Sequence, residues 1–525
     1  MATPTAMDAC NYCGAPGALK CGRCHAACYC SRDHQRLDSG DHRDLCKNYT
    51  SVSSPDLGEH LAATCLILPG NLIFSENPIL VGPVAYSDLI CLGCHSAITE
   101  EDFSKCPDCK WPVCSKVCAN SKSHWAECDV LAKDELGIGI PQHIGQTPRY
   151  DLIMLLRGLL LKETDPKSWK VLMAMQSHKE IWKKDNDPFH AAAVKYFTEV
   201  CKCGFDEDEI HHVRGVIMTN CMVFKSDKGT SLRALYPQFR LFNHSCIPNI
   251  HISSNSDGEI TARAAVTIQK NEQLCISYTG TMEPLWQRQK YLSEIYKFQC
   301  QCKRCSDPTE FGTYFSSPRC PDCRRSFMLP SGNGSINWWI CETCGLRYEL
   351  IDVLQEVSDW LNRIDMSDFI GKRTVKQLNK DVDRMHDSFH PLHYVPLQFT
   401  QNLLREIKGE NYVTFKLRQE IWENHLEICD KLEPGLTRRR GMVLFNLGAT
   451  INGVVKSGIA EKEIYLPRVP SLLQEAKLFL LEAQRIFQLE PKTSRERHWL
   501  YSITSVYDEI EAMERSCQEG TEHLE

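Results

Sequence analysis

Residues 240–250 read RLFNHSCIPNI, with one cysteine, Cys246, between a polar Asn-His-Ser run and a proline. A lone buried thiol is ordinarily inert packing. As a zinc ligand it needs about three partners. Further down the chain, FQCQCKRCSD (298–307) offers three closely spaced thiolates, Cys300, Cys302 and Cys305, one short of a tetrahedral site. Cys246 is the obvious fourth. An ion shared by the four would clip the Asn-His-Ser turn to a distant segment.

The other cysteines follow the same logic. A chain with 29 cysteines, whose first residues lack both a basic run and an apolar run, is expected to stay in the cytosol or nucleus, where cysteines signal metal more often than disulfides. Ligands two or three residues apart let one short turn present both to one ion. One set is Cys10/Cys13, Cys21/Cys24, Cys30/His34 and His42/Cys46. A second, cleaner set is Cys91/Cys94, Cys106/Cys109, Cys114/Cys118 and His124/Cys128. A last group, Cys320/Cys323 with Cys341/Cys344, spaces a four-cysteine ribbon around SGNGS, a hairpin tip. With the Cys246 group, these 24 ligands fill about six zinc sites, leaving eight cysteines as ordinary thiols.

The 525 residues exceed one core, so three or four domains are expected. A net charge of −7 gives no drive toward nucleic acid or an anionic membrane, and direct nucleic-acid binding is not expected. No stretch approaches the ~20 uncharged apolar residues of a membrane span. Arg438, Arg439 and Arg440 read as a solvated helix end, and His178, His211 and His212 as surface residues.

NHSCIPN (243–249), ISYTG (276–280) and CQCKRC (300–305) resemble the SET and post-SET motifs of protein lysine methyltransferases. The spacing CSRDHQ…HRDLC (30–46) is similar to a MYND finger. A MYND finger inserted into a SET region, followed by a helical tail, resembles the SET-and-MYND (SMYD) family. The extra N-terminal finger and the ribbon resemble its arthropod branch. The expected class is α+β multidomain: a β-rich SET fold interrupted by a finger, a zinc-bound post-SET region and an α-helical, tetratricopeptide-like C-terminal domain. The expected division is an N-terminal finger (1–50), the first part of SET (51–90), the inserted finger (91–128), a helical insert (129–212), the SET core (213–285), the post-SET region (286–310), the ribbon (311–350) and the tail (351–525).

The resemblance implies a donor, S-adenosylmethionine, and an acceptor lysine on a histone or other protein. In a MYND finger the first and third ligand pairs share one zinc, the second and fourth the other. Gly58, Glu59 and His60 match the first cofactor loop, where the family pattern Gly-x-Gly-Leu reads Gly-Glu-His-Leu. Asn243 and His244 match residues that hold the cofactor, Asn220 the contact to its amino-acid end, and Phe298 the aromatic that stacks on adenine. Tyr278 matches the tyrosine facing the transferred methyl, and Tyr296 a wall of the lysine channel. Met222 stands where an aromatic is common, and His34 where cysteine is usual. The resemblance also implies proline-containing peptides or corepressors as partners of the fingers, a monomer, and cytoplasm and nucleus as location. The alternative is a SET-fold adaptor without turnover, for which His60 argues.

The tail has few cysteines and helical periodicity. Leu472, Ala476, Phe479, Ala483 and Phe487 recur at spacings of three and four, and Leu-Glu-Pro ends helices at 432–434 and 489–491. Small alanines on such a face suit close helix pairing, in a repeat or in a plain bundle.

Overall fold

The computed structural model describes residues 9–17, 19–22, 27–99, 103–135, 137–138, 140, 149–184, 188–331, 337–364, 375–407 and 409–522. Cys24 and most of the SGNGS tip lie outside them.

The strands between residues 49 and 276, where the SET resemblance lies, form several sheets of two or three strands. Tyr49–Ser54 and Gly58–Ala63 form an antiparallel hairpin that presents the first cofactor loop. Leu72–Glu76 joins the Ile250–Ser254/Ile260–Ala264 pair, with Ile260–Ala264 central. Leu80–Pro83 and Cys221–Lys225 flank Ser231–Leu235, leaving Cys221–Lys225 at the edge. Asn243–His244 runs parallel to Cys275–Ile276, which brings the opening motif beside the segment holding Tyr278. The core between these strands is Leu61, Ile73, Phe74, Phe242, Ala262, Ile268 and Leu274, all nearly fully buried.

The insert is helical, as expected, but its last helix overruns the expected boundary. Glu207–Asn220 stays helical past residue 212, and strands resume only at Cys221. Asp206 caps it by accepting from the Asp208 and Glu209 amides, and Glu207, Asp208 and Glu209 sit in its first turn, where acidic groups oppose the dipole favourably. His211 on this helix is buried rather than on the surface, its Nδ1 2.5 Å from His190 Nε2. Two more helices have faces that tertiary packing covers. Tyr150–Thr164 is apolar almost all round and accordingly buried on nearly every face. Arg438–Ala460, long and apolar enough to cross a membrane by composition, is instead the central helix of the tail, 72% of its apolar window being buried.

Tyr412–Leu432, Arg438–Ala460, Val469–Gln488 and Trp499–Glu522 pack in order, each against the next. Ala476, Ala483 and Phe487 are buried at that contact as expected, joined by Leu473 and Leu480. The approach is tight: a Cβ on Gly448 would stand 3.0 Å from the Ala476 carbonyl oxygen, and one on Gly453 would run into the Phe415 ring.

The arginine run is not a solvated end. Arg440 pairs with Asp430 at 2.7 Å and with Glu482, and Arg438 donates to Glu490 at 2.8 and 2.7 Å. Glu490, 2% exposed, also accepts from His251 Nε2 at 2.8 Å, so the tail is bolted to the SET strand Ile250–Ser254. Burial works against the Glu490 carboxylate, but His251 and Arg438 outweigh it and lower its pKa to about 2. A depressed carboxylate contributes its full stability above the ordinary value of 4.5 and loses it as pH falls toward about 2. At pH 7 the contribution is intact, so Glu490→Gln is expected to cost about 2 kcal/mol, because it removes the buried charge that both His251 and the partly exposed Arg438 hold. Thermal melting at pH 7 reads this; an unchanged midpoint would mean that the bolt bears no load.

Candidate active site

The four sulfurs of Cys246, Cys300, Cys302 and Cys305 converge, all within 4.8 Å of one another. Cys246 is fully buried, its Sγ 3.5 Å from Cys305 Sγ and 4.0 Å from Cys300 Sγ. The surroundings fit a doubly charged metal on four thiolates, a centre of net negative charge. Arg288 and Arg304 are both fully buried, yet they share one carboxylate, Glu310, at 3.0 and 2.8 Å. The surplus positive charge faces the sulfurs, with Arg288 donating to Cys305 Sγ at 3.7 Å. Burial works against the Arg288 charge, but Glu310 and the thiolates of Cys246 and Cys305 outweigh it and raise its pKa. Gln289 fixes the knot by bonding both the amide and the carbonyl of Cys300.

The remaining ligand sets assemble largely as their spacing implied. Cys10, Cys13, Cys30 and His34 form one cluster, Cys91, Cys94, Cys114 and Cys118 a second, Cys106, Cys109, His124 and Cys128 a third, and Cys320, Cys323, Cys341 and Cys344 a fourth. In the first finger Cys21 Sγ lies 3.6 Å from Cys46 Sγ, the second and fourth pairs meeting. His124 is set up as a ligand. Its Nδ1 donates to buried Glu127 at 3.1 Å, which Arg157 holds in turn, so Nε2 faces Cys109 as an acceptor.

The four-cysteine knot meets the Tyr278 segment through His244. Its Nδ1 accepts from the Tyr278 amide at 2.9 Å, so Nε2 carries the proton and donates toward Cys246 Sγ at 3.2 Å. One ring thus ties the zinc sulfur to the backbone of Tyr278. The Tyr278 hydroxyl donates to the Phe242 carbonyl at 2.5 Å, and its ring lies 4.6 Å from Tyr296. Burial, and secondarily Tyr296, raises the Tyr278 phenol; burial and then Tyr291 push Tyr296 up to about 12. Both stay neutral hydroxyls at physiological pH.

These tyrosines line a cavity of about 410 Å³ with Asn220, Met222, Ile276 and, from the tail, Glu433. Glu433 bonds the Thr281 hydroxyl and pairs with Arg439 at 3.5 Å. Sequence reasoning assigned nothing to Glu433, His251 or Glu490. The signal was the repeated Leu-Glu-Pro, read only as a helix stop: both glutamates turn out to grip the SET region.

The expected cofactor residues fall into two groups. Asn243 Nδ2 donates to the Leu57 carbonyl at 3.0 Å, joining the Asn-His-Ser turn to the loop before Gly58, and Phe298 is half-exposed, 6.1 Å from the His244 ring. Gly58 has φ +64°, with open space where a Cβ would stand. The His60 ring is buried and folds back to the Gly58 carbonyl at 3.1 Å, and Glu59 turns to Ser51 and Arg240. Asn220 stands apart, in the tyrosine-lined cavity. Its amide nitrogen donates to the Gln176 and Val216 carbonyls at 2.8 and 3.1 Å, which leaves its amide oxygen as an acceptor. An open glycine loop, a half-exposed aromatic and that acceptor suit a ligand with an adenine at one end and an ammonium at the other.

Comparison with known proteins matches a SET domain over residues 58–279 and a MYND finger over residues 10–46. The Drosophila melanogaster SET domain-containing protein SmydA-8, isoform A, is 28% identical over 316 residues, 58% of this chain and 66% of that protein. The chain thus spans just under two thirds of that relative's length. Arabidopsis thaliana histone-lysine N-methyltransferase ASHR1 is 24% identical over 418 residues, 75% of this chain and 82% of that protein. Mouse histone-lysine N-methyltransferase Smyd1 is 24% identical over 281 residues, 49% and 56% of the two chains.

Proposed function

From a chain that belongs to the SET-and-MYND family, we propose an S-adenosylmethionine-dependent protein-lysine N-methyltransferase acting on histone or other protein lysines in gene regulation. The supporting observation is the pair Tyr278 and Tyr296, held at a cavity of about 410 Å³ and tied through His244 to the four-cysteine knot.

Bound S-adenosylmethionine supplies an electrophilic methyl group. Asn243, Gly58, His60 and Phe298 would hold its adenosine side, and the Asn220 amide oxygen would accept from its ammonium. The chain's task is then positioning and desolvation. Met222, Ile276, Tyr278 and Tyr296 exclude water from the acceptor lysine, which disfavours its ammonium and leaves the neutral amine that attacks. The two neutral phenols offer no general base, and alignment in a dry channel supplies the acceleration. Glu433 places a carboxylate where an incoming ammonium enters. Six zinc ions complete the protein on this reading. It works as a monomer in cytoplasm and nucleus, with fingers that recruit proline-containing peptides or corepressors.

Calorimetry with S-adenosylmethionine, followed by methyl transfer to an array of lysine peptides, tests this. Micromolar binding with transfer to lysine is expected. Absence of heat and of transfer would establish the adaptor reading that His60 favours.

A further inference from the structure

A second cavity, of about 620 Å³, is lined in part by the helical insert and shares Val223 with the tyrosine-lined one. Its walls are apolar, yet three guanidinium groups, Arg149, Arg214 and Arg233, line it against one carboxylate, Asp151, among the described residues. Arg149 takes both Asp151 oxygens at 2.8 Å, and Arg214 approaches the same carboxylate at 3.6 Å. Arg233 has a bond to the Ile217 carbonyl at 3.2 Å and no carboxylate partner among the described residues. Trp182, 8% exposed, also lines the cavity, and its indole N–H has no partner among the described residues. A pocket where Arg233 faces no carboxylate and a buried indole donor is unmet, among the described residues, is built for an anion, and guanidinium matches a carboxylate by paired hydrogen bonds.

We propose that this pocket receives an acidic side chain of the protein substrate, beside the lysine that enters the tyrosine-lined cavity. The inference rests on the methyltransferase reading. Val223, half-exposed on the edge strand, lines both cavities, so a chain laid across that strand reaches the two together. Arg233 is the specificity-determining residue, Asp151 the group that orients Arg149 and Arg214.

The test uses the full zinc-loaded protein and peptides with one central lysine, carrying Glu or Gln at successive flanking positions. Binding is read by fluorescence anisotropy and methyl transfer separately. Glu is expected to bind about tenfold tighter than Gln at one position, because a charge-assisted bond replaces a neutral one. Arg233→Met should collapse the ratio to about twofold or less with the melting midpoint unchanged. Should that variant fold poorly, Val223→Glu, which sets a competing carboxylate at the pocket mouth, should collapse it as well. Equal binding of Glu and Gln peptides, or a preference that survives both variants, overturns the proposal. An acidic preference in binding without methyl transfer supports this site while refuting the activity. Transfer without an acidic preference does the reverse.

Discussion

Cys246→Ser is expected to lower zinc from about six to five per chain and to weaken S-adenosylmethionine binding by roughly 10- to 100-fold. The size of the effect follows from what the thiolate touches. It is fully buried, its sulfur joins three others, and beside it Arg288 and Arg304 share Glu310 as their one carboxylate among the described residues. Without metal and thiolate, one buried guanidinium is left without compensation, a change that costs several kcal/mol. The damage then travels. His244 loses its acceptor at Nε2, and the bond from the Tyr278 amide to Nδ1 loses its anchor. The loop and the Phe298 segment, which would embrace the cofactor from two sides, no longer hold their separation. Metal analysis, calorimetry and thermal melting on one preparation check all three. A variant that binds as tightly as the parent would leave the metal clip without a functional role.

Tyr278→Phe should separate turnover from binding. The hydroxyl donates to the Phe242 carbonyl at 2.5 Å, so its direction is fixed at the wall of the cavity. Removing an oriented oxygen dipole at the reacting centre is expected to lower kcat by about 10²- to 10³-fold. Cofactor affinity should change by no more than about threefold. Some stability is lost too, on the order of 1–2 kcal/mol, since the buried Phe242 carbonyl is left unpaired. Single-turnover kinetics with labelled methyl donor reads the first effect and calorimetry the second. An unchanged kcat would remove Tyr278 from the reacting centre.

The parts of the site legible in sequence are those whose geometry is local. Cys91 and Cys94, or Cys320 and Cys323, lie on one turn, and the turn fixes their sulfurs whatever else the chain does. Cys246 was reachable by counting, because three thiolates of the knot require a fourth. The partners of Cys246 in charge were not reachable. Arg288, Arg304 and Glu310 look in sequence like any surface ions, and their burial around the sulfurs follows from packing alone. The helix Glu207–Asn220 shows another limit. Its Asp206 cap is visible in sequence, but the strand expected from residue 213 gave way because Ile210, Val213, Val216 and Ile217 are buried together on one helical face. His244 was read as a cofactor residue, yet its ring is spent on Tyr278 and Cys246, which leaves its main chain for any ligand.

By itself the amino-acid order determined most of the ligand sets and the SET and MYND motifs, because each depends on residues a few positions apart or on a motif held in one stretch. Only the tertiary structure decided that two Leu-Glu-Pro stops are clamps, that the arginine run at 438–440 is bonded rather than solvated, and that Arg149 and Arg214 share Asp151. Those facts join elements up to 239 residues apart, as in His251 and Glu490. A carboxylate meets an imidazole at that separation only when burial has already fixed both backbones.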